Sequence, residues 1–282
     1  MIVFCFLLFL LPLPFQISKK LTMKKFTKAV AAVMLSMAMV FAVGCKPEEE
    51  ENEDNNTPEI VDNGGNGSLN GHNYIDLGLP SGTLWATCNV GAADPEGFGG
   101  FFSWAETVDK TDLLDQLNWE GYKYCVGETD SQARLTKYCS VAEYGNNGFT
   151  DELTVLQPSD DAATVNWGEG WMMPSVAQFE ELMEVCSGTR TFLNEVEGYQ
   201  FTSPNGQSIF LPLAGRHMGD SYWSIMFTRG EYWTRELHVE HPLSAKIFGW
   251  TAIGYANEDD FMLSGCTRCY GISVRPICMA QH

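Results

Sequence analysis

The stretch WGEGWMMPSVAQFEELMEVC, residues 167–186, carries the clearest secondary-structure signal of the chain from Gly71 onward. Its apolar residues at positions 176, 179, 182, 183 and 186 share one face of a helix. Pro174 and Ser175 lie directly before Val176, the first of these apolar residues, and such a pair favours the start of a helix. The pattern therefore predicts a helix over Ser175–Cys186.

The rest of the segment is built from short apolar and aromatic runs separated by Gly, Asn and Pro. Pro204-Asn205-Gly206 lies between two runs and predicts a hairpin turn. A second, weaker helical pattern lies near Asp109–Leu117. No repeat of fixed period and no internal linker divides the segment, so we predict one α+β domain over residues 71–282. These short apolar and aromatic runs are YIDLGL (74–79), LWATCNV (84–90), GGFFSW (99–104), GYQFTS (198–203), SIFLPLAG (208–215), YWTRELH (232–238), AKIFGWTAI (245–253) and GISVRPI (271–277).

The N-terminal region follows the pattern of a bacterial signal peptide. From Met23, three lysines precede an apolar run that ends in small residues. Ala42-Val43-Gly44-Cys45 resembles the lipobox of bacterial lipoproteins, which implies removal of residues 23–44 and a diacylglycerol thioether on Cys45. Residues 1–22 precede this complete signal, and we interpret them as a start-site artefact. The alternatives for the apolar run are an uncleaved transmembrane anchor or a buried helix.

The segment after Cys45 is strongly acidic. Lys46-Pro47 leads into the run EEEENED (48–54), which is too polar and self-repelling to fold. We therefore predict a disordered tether over residues 45–70. The run also resembles the lysine-then-acidic export signal of Bacteroidetes lipoproteins, which implies an anchor in the outer membrane and a domain at the cell surface. An ordinary linker is the alternative.

The charge of the chain limits its partners. Residues 1–44 carry five of the 17 basic residues and no acidic residue, so the remainder has 12 basic against 36 acidic side chains, a net charge of −24. A body this acidic repels phosphate backbones, which argues against nucleic-acid binding. It is compatible with cation binding, with neutral glycans, or simply with solubility.

Six phrases of the folded part occur in a characteristic order. They are YIDLGLPSGTLWATCNVGA (74–92), FFSWAET (101–107), WGEGWMMPSVAQFEEL (167–182), NGQSIFLPLAGRHMG (205–219), GEYWT (230–234) and GISVRPI (271–277). Together they resemble the Fibrobacter succinogenes major paralogous domain of Bacteroidetes lipoproteins. More distantly they are similar to C-type-lectin-like folds, including formylglycine-generating enzymes. The resemblance implies twisted antiparallel sheets, one or two helices and long loops, but no single function.

Two acidic loops are candidates for a cation. Asp160 and Asp161 stand just ahead of Trp167, and Glu258-Asp259-Asp260 forms the second loop. Calcium prefers clustered carboxylate and carbonyl oxygens, so Asp160 and Asp161 are candidate calcium ligands. The alternative is that these acids are simply solvated. No other cofactor is indicated.

Aromatic side chains are the candidates for ligand contact. Trp and Tyr combine apolar faces with polar edges, which suits stacking on sugars or on protein partners. Most of the eight tryptophans lie inside the family-like phrases, and we expect them in the core. Tyr222 and Trp223 lie in the glycine-flanked loop after Arg216. We therefore predict Arg216, Tyr222 and Trp223 as ligand contacts.

Cys266-Thr267-Arg268-Cys269 is the sharpest local cysteine pattern. A lone C-x-x-C is a weak zinc signal, because structural zinc needs four ligands. Formylglycine-generating enzymes carry paired catalytic cysteines near the corresponding position, with wider spacing, so we expect Cys266 and Cys269 to be structural. His238 and His241 form a His-x-x-His pattern with no identifiable third ligand.

These observations support three functions of different kinds. The favoured one is a non-catalytic surface module that binds or adheres to glycan or protein. The second is an enzyme related to the formylglycine-generating group that uses Cys266 and Cys269, which an open cleft between the two thiols would favour. The third is a structural component of the envelope without a small ligand, which the absence of any cleft would favour.

Overall fold

The computed structural model describes residues 60–62, 66–219, 228–251 and 261–280, all within a compact unit that spans residues 55–282. Several predictions fall on other parts of the chain and lie outside the described residues. These are the start-site artefact, the signal peptide with Cys45, most of the acidic tether, the acidic loop at 258–260, and the loop that contains Tyr222 and Trp223.

Antiparallel strands dominate the described residues and helices are few, which agrees with the predicted α+β class and equally with a mainly β class. The helices are α1 (Ala162–Trp167) and α2 (Val176–Val185). The strands are β1 (Ile60–Asp62), β2 (Gly67–Leu69), β3 (His72–Asp76), β4 (Thr83–Ala86), β5 (Cys125–Val126), β6 (Arg134–Leu135), β7 (Ser187–Leu193), β8 (Val196–Thr202), β9 (Ser208–Pro212), β10 (Arg216–His217), β11 (Arg229–Leu237), β12 (Ser244–Thr251), β13 (Met262–Thr267), β14 (Gly271–Ile272) and β15 (Ile277–Met279).

A five-stranded antiparallel sheet, in the order β1-β2-β3-β4-β15, joins the first and last strands of the unit. Strands β1 and β2 lie inside the segment predicted as a tether, so the predicted boundary at Gly71 is too late. Leu69 is buried, and the Asn70 side chain donates hydrogen bonds to the carbonyl oxygens of Trp167 and Glu169. These contacts tie the end of the predicted tether to the folded core.

Strands β7, β8 and β9 form a separate three-stranded antiparallel sheet. The predicted turn at Pro204-Asn205-Gly206 is confirmed, since it joins β8 to β9. The turn between β7 and β8 consists of Asn194 and Glu195, whose φ angles are 46° and 69°. Two successive positive φ angles are what a two-residue type I′ hairpin turn requires.

The predicted helix is confirmed as α2, which packs on the sheet formed by β11, β12 and β13. Ser175 and Gln178 form a reciprocal capping box at its start, in which each side chain bonds the backbone N–H of the other residue. Phe179 and Leu182 are fully buried, and the Phe179 ring stacks on Phe248 of β12 with centroids 4.4 Å apart. The apolar face of the helix thus faces the sheet, as its periodicity indicates.

The other helical expectations differ from the structure. The helix predicted near Asp109–Leu117 was wrong, because this segment contains only a 3₁₀ turn at Leu114–Gln116. Lys110 of that segment is instead buried in an ion pair with Glu106. Helix α1 was not predicted, since six residues are too few to show a helical period.

The core combines aromatic rings with buried arginines. Arg275 is fully buried and donates hydrogen bonds to the Asn89 side chain and to the carbonyl oxygens of Ala86, Thr87 and Phe210. These bonds join β4 to β9. The expectation that most tryptophans belong to the core is confirmed for the seven described ones, Trp85, Trp104, Trp119, Trp167, Trp171, Trp233 and Trp250.

Candidate functional site

Asp160, predicted as a calcium ligand, is instead the acceptor of a buried hydrogen-bond network. Its carboxylate accepts from the hydroxyls of Tyr124 and Tyr138 and pairs with the Lys137 ammonium. Burial alone would raise the pKa of Asp160, but the bonds from Lys137 and the two tyrosines outweigh it and hold that pKa below its usual value. The Lys137 ammonium thus occupies the position beside Asp160 that a calcium ion would take.

Asp161 serves as the N-cap of α1. One of its carboxylate oxygens accepts from the backbone N–H groups of Ala163 and Thr164, and the other accepts from that of Met173. Burial nevertheless raises the pKa of this carboxyl. Within the described ranges, no three His, Cys, Asp or Glu side chains lie together in a way that could hold a metal ion. The geometry therefore gives the predicted calcium site no support.

Arg216, predicted to contact a ligand, is committed to an internal ion pair. Its guanidinium makes two contacts of 2.9 Å with the Glu231 carboxylate, which is 1% exposed. A third guanidinium nitrogen donates to the Cys266 sulfur over 2.8 Å. Burial raises the pKa of Glu231, although Arg216 and Arg229 oppose that shift. Arg216 therefore neutralises a buried acid, and a ligand would have to displace it from that pair.

The two thiols of the C-x-x-C pattern are buried in different hydrophobic clusters. Cys266 belongs to the cluster that contains Trp233, whereas Cys269 belongs to the cluster that contains Trp119. Burial raises the pKa of Cys266 to about 12 and also raises the pKa of Cys269. A catalytic thiol must form an accessible thiolate, so this environment disfavours the enzyme alternative. All seven described cysteines are free thiols.

The loop with the His-x-x-His pattern shows a close pair of rings. The centroids of His238 and His241 lie 5.0 Å apart, and burial lowers the pKa of His238. No described Asp, Glu, Cys or third His joins them in a group that could hold a metal. The pair therefore stays an incomplete ligand set.

An open groove of about 280 Å³ lies against one face of the sheet formed by β7, β8 and β9. Thr191 and Leu193 of β7 share that face because side chains alternate along a strand. Gln200 of β8 stands beside Phe210 of β9 in the same register. The opposite wall comes from other parts of the chain, namely Ile75, Thr87 and Pro95.

Glycine at position 198 shapes the floor of this groove. A Cβ added there would stand 2.4 Å from the Phe210 ring. The missing side chain therefore lets that ring lie across β8 instead of standing away from it.

A hydrogen bond at the tip of the β7–β8 hairpin holds the two walls of the groove together. The Asn194 amide donates to the Glu96 carboxylate over 2.6 Å, and Glu96 directly follows Pro95 of the opposite wall. Both residues are exposed or half-buried. This contact outside the groove thus connects the hairpin to the segment that contains Pro95.

The lining of the groove is uncharged. It combines apolar side chains with hydroxyl and amide groups, and no Asp, Glu, Lys or Arg is among the described residues that form it. The Gln200 amide donates to the Ser208 hydroxyl over 3.2 Å. Leu193, which also lines the groove, is half-buried and adds apolar surface. A ligand here would meet uncharged hydrogen-bonding groups and apolar surface in one place.

Comparison with known proteins gives no further information about this groove. The chain matches no protein-family model, no curated protein and no solved structure. Among the residues that the structure describes, no helix is long and apolar enough to span a membrane.

The groove could not be found from the sequence. Its lining comes from four separate segments that only the tertiary fold brings together. The sequence around Thr191 and Leu193 does not mark that face, because Phe192 between them is also apolar and breaks the alternation expected of a half-buried strand. Arg216, the one predicted ligand contact among the described residues, does not line the groove.

Proposed function

We propose that this chain is a cell-surface lipoprotein, anchored through Cys45 in the outer membrane, whose folded domain binds a glycan or protein ligand without catalysis. The observation that carries this proposal is the open, uncharged groove against the β7–β8–β9 sheet. Such a surface suits recognition, because apolar area supplies affinity while a few placed polar groups supply orientation.

The chemistry of the groove favours an uncharged ligand. Hydroxyl and amide groups such as those of Thr191, Ser208 and Gln200 can both donate and accept hydrogen bonds. Sugar hydroxyls and peptide groups have the same dual character. The net charge of −24 outside residues 1–44 does not oppose such ligands, whereas it repels polyanions.

Location and family membership are part of the same proposal. The signal peptide pattern and the lipobox-like end at Cys45 support a lipid anchor, and the acidic run after it supports export to the surface. The ordered phrases support a Fibrobacter succinogenes major paralogous domain with a C-type-lectin-like arrangement of strands. The predominance of antiparallel sheets with two described helices is compatible with that arrangement.

The proposal is tested by binding measurements on the full chain purified in detergent. A glycan array and a pull-down from surface extracts would supply candidate ligands, and the double variant Leu193→Ala, Gln200→Ala would remove two side chains that face the groove. We expect this variant to bind at least about tenfold more weakly, since truncating a central contact commonly costs that much.

The matched control is Leu113→Ala, Gln157→Ala, which removes the same two residue types from exposed positions that do not line the groove. It should bind like the wild type, and both variants should melt at the wild-type temperature. If neither the array nor the pull-down identified a ligand, the result would favour the structural envelope component. Unchanged binding by the groove variant would place the ligand elsewhere.

A further inference from the structure

A second cavity, of about 460 Å³, lies between α1 and β11 and contains a positively charged side chain. Arg235 provides the charge, while Thr164 and Glu169 provide other polar groups. Leu156 and Met172 form part of its apolar side. None of these residues borders the groove, so the two sites are separate.

The backbone of Arg235 is fixed on both sides. Its N–H donates to the carbonyl oxygen of Pro174 and its own carbonyl accepts from the N–H of Leu156, each over 2.9 Å. The pairing of β11 with β12 shifts register between Trp233 and Leu237, so Arg235 lies in an irregular part of the strand. Such irregularities redirect side chains, and they are common next to ligand sites.

The guanidinium of Arg235 can donate more hydrogen bonds than the described residues accept from it. Among the described residues it forms no ion pair, and its one described side-chain contact is with the Met172 sulfur, 3.2 Å away. A guanidinium has five N–H donors and a thioether is a weak acceptor. The neighbouring carboxylate of Asp161 already accepts three backbone N–H groups. Arg275, by contrast, has four oxygen acceptors.

We propose that this cavity binds a uronic-acid sugar, with the sugar carboxylate paired to Arg235. The planar guanidinium matches a carboxylate through two parallel hydrogen bonds. Asp161 and Glu169 also line the cavity, so one cation faces two acids. The excess acid repels a phosphate dianion more strongly than a carboxylate, so a singly charged ligand needs the paired hydrogen bonds to Arg235 to outweigh that repulsion.

The remaining lining fits the sugar ring. Glu169 is exposed and can accept hydrogen bonds from ring hydroxyls, which a simple aliphatic acid lacks. The Thr164 hydroxyl donates to the carbonyl oxygen of Trp171, and its oxygen can still accept a bond from the ligand. Leu156 and Met172 offer apolar contact to the C–H side of the ring. The volume lies within the range of small-molecule sites.

The test compares two sugars that differ only at one carbon. D-Galacturonate carries a carboxylate where D-galactose carries a hydroxymethyl group, and titration calorimetry on the full chain measures both. We expect galacturonate to bind at least about tenfold more tightly than galactose, and Arg235→Gln to remove about that factor. Arg134→Gln is the matched control, because it changes the net charge equally at an exposed arginine outside the cavity.

Two further variants make the outcome decisive. Arg235→Lys keeps the charge but loses the paired geometry, so it should bind galacturonate with intermediate affinity, and it replaces Arg235→Gln if the latter fails to fold. The groove variant Leu193→Ala, Gln200→Ala should bind galacturonate like the wild type, which separates this proposal from the proposed function. Absence of galacturonate binding, equal affinity for both sugars, or wild-type affinity in the folded Arg235 variants would overturn the assignment, as would binding of a peptide carboxylate alone.

Discussion

Arg268, the residue between the two thiols of the C-x-x-C pattern, should be among the most sensitive positions of the domain. Its guanidinium is fully buried and donates to the Tyr122 hydroxyl and to the carbonyl oxygens of Lys137, Tyr138 and Pro242. It also lies 4.9 Å from the centre of the Trp104 ring. Among the described residues it has no carboxylate partner.

The substitution Arg268→Met keeps most of the volume and removes all four hydrogen bonds. Bonds from a charged donor contribute about 1.5–3 kcal/mol each. The desolvation of a guanidinium offsets several kcal/mol of that gain, so we expect a net loss of about 3–5 kcal/mol in the free energy of unfolding. For a domain of this size the melting temperature should fall by about 6–20 °C.

Urea unfolding of the full chain, followed by tryptophan fluorescence, measures this loss. Arg134→Met is the control, since Arg134 is exposed and bonds only to nearby carbonyl oxygens. It should change stability by less than about 0.5 kcal/mol. If Arg268→Met lost less than about 1 kcal/mol, the structural role assigned to the C-x-x-C segment would be refuted.

Two further predictions concern buried titratable groups. The lowered pKa of Asp160 means that its stabilisation is complete above about pH 4, the unfolded value, and is lost as the pH falls through the folded value. Asp160→Asn should therefore cost about 2–4 kcal/mol at pH 7 in urea unfolding and less in acid, and an equal loss at every pH would contradict this. N-ethylmaleimide should label half-exposed Cys125 before Cys266, whose pKa burial raises to about 12, and peptide mass analysis showing the reverse order would restore the enzyme alternative.

Features encoded by neighbouring residues could be predicted from the sequence. Helix α2 follows from the spacing of Phe179 and Leu182 and from its Ser175 cap, and all of these act within one segment. The turn at Pro204-Asn205-Gly206 was predictable for the same reason. Helix α1 was not predicted because its six residues are too few to show a helical period.

The candidate sites depend on contacts between distant residues, and here sequence patterns gave the wrong partners. As adjacent acids, Asp160 and Asp161 resemble a cation site. In the structure, Lys137 and two tyrosine hydroxyls bind the carboxylate of Asp160. Backbone N–H groups bind the carboxylate of Asp161. Arg216 looks exposed in a glycine-rich segment, but Glu231 of β11 pairs with it. Arg235 had no sequence signal, because only the fold places it in a cavity.

Ligand capture by intact cells tests display and groove binding together. Cells that express the wild-type chain should retain a ligand identified on the array, while cells with Leu193→Ala, Gln200→Ala should lose it at equal surface protein. Cys45→Ala should abolish retention because the domain is no longer anchored. Wild-type capture by the groove variant would contradict recognition at the β7–β8–β9 sheet, and wild-type capture by Cys45→Ala would contradict the lipid anchor.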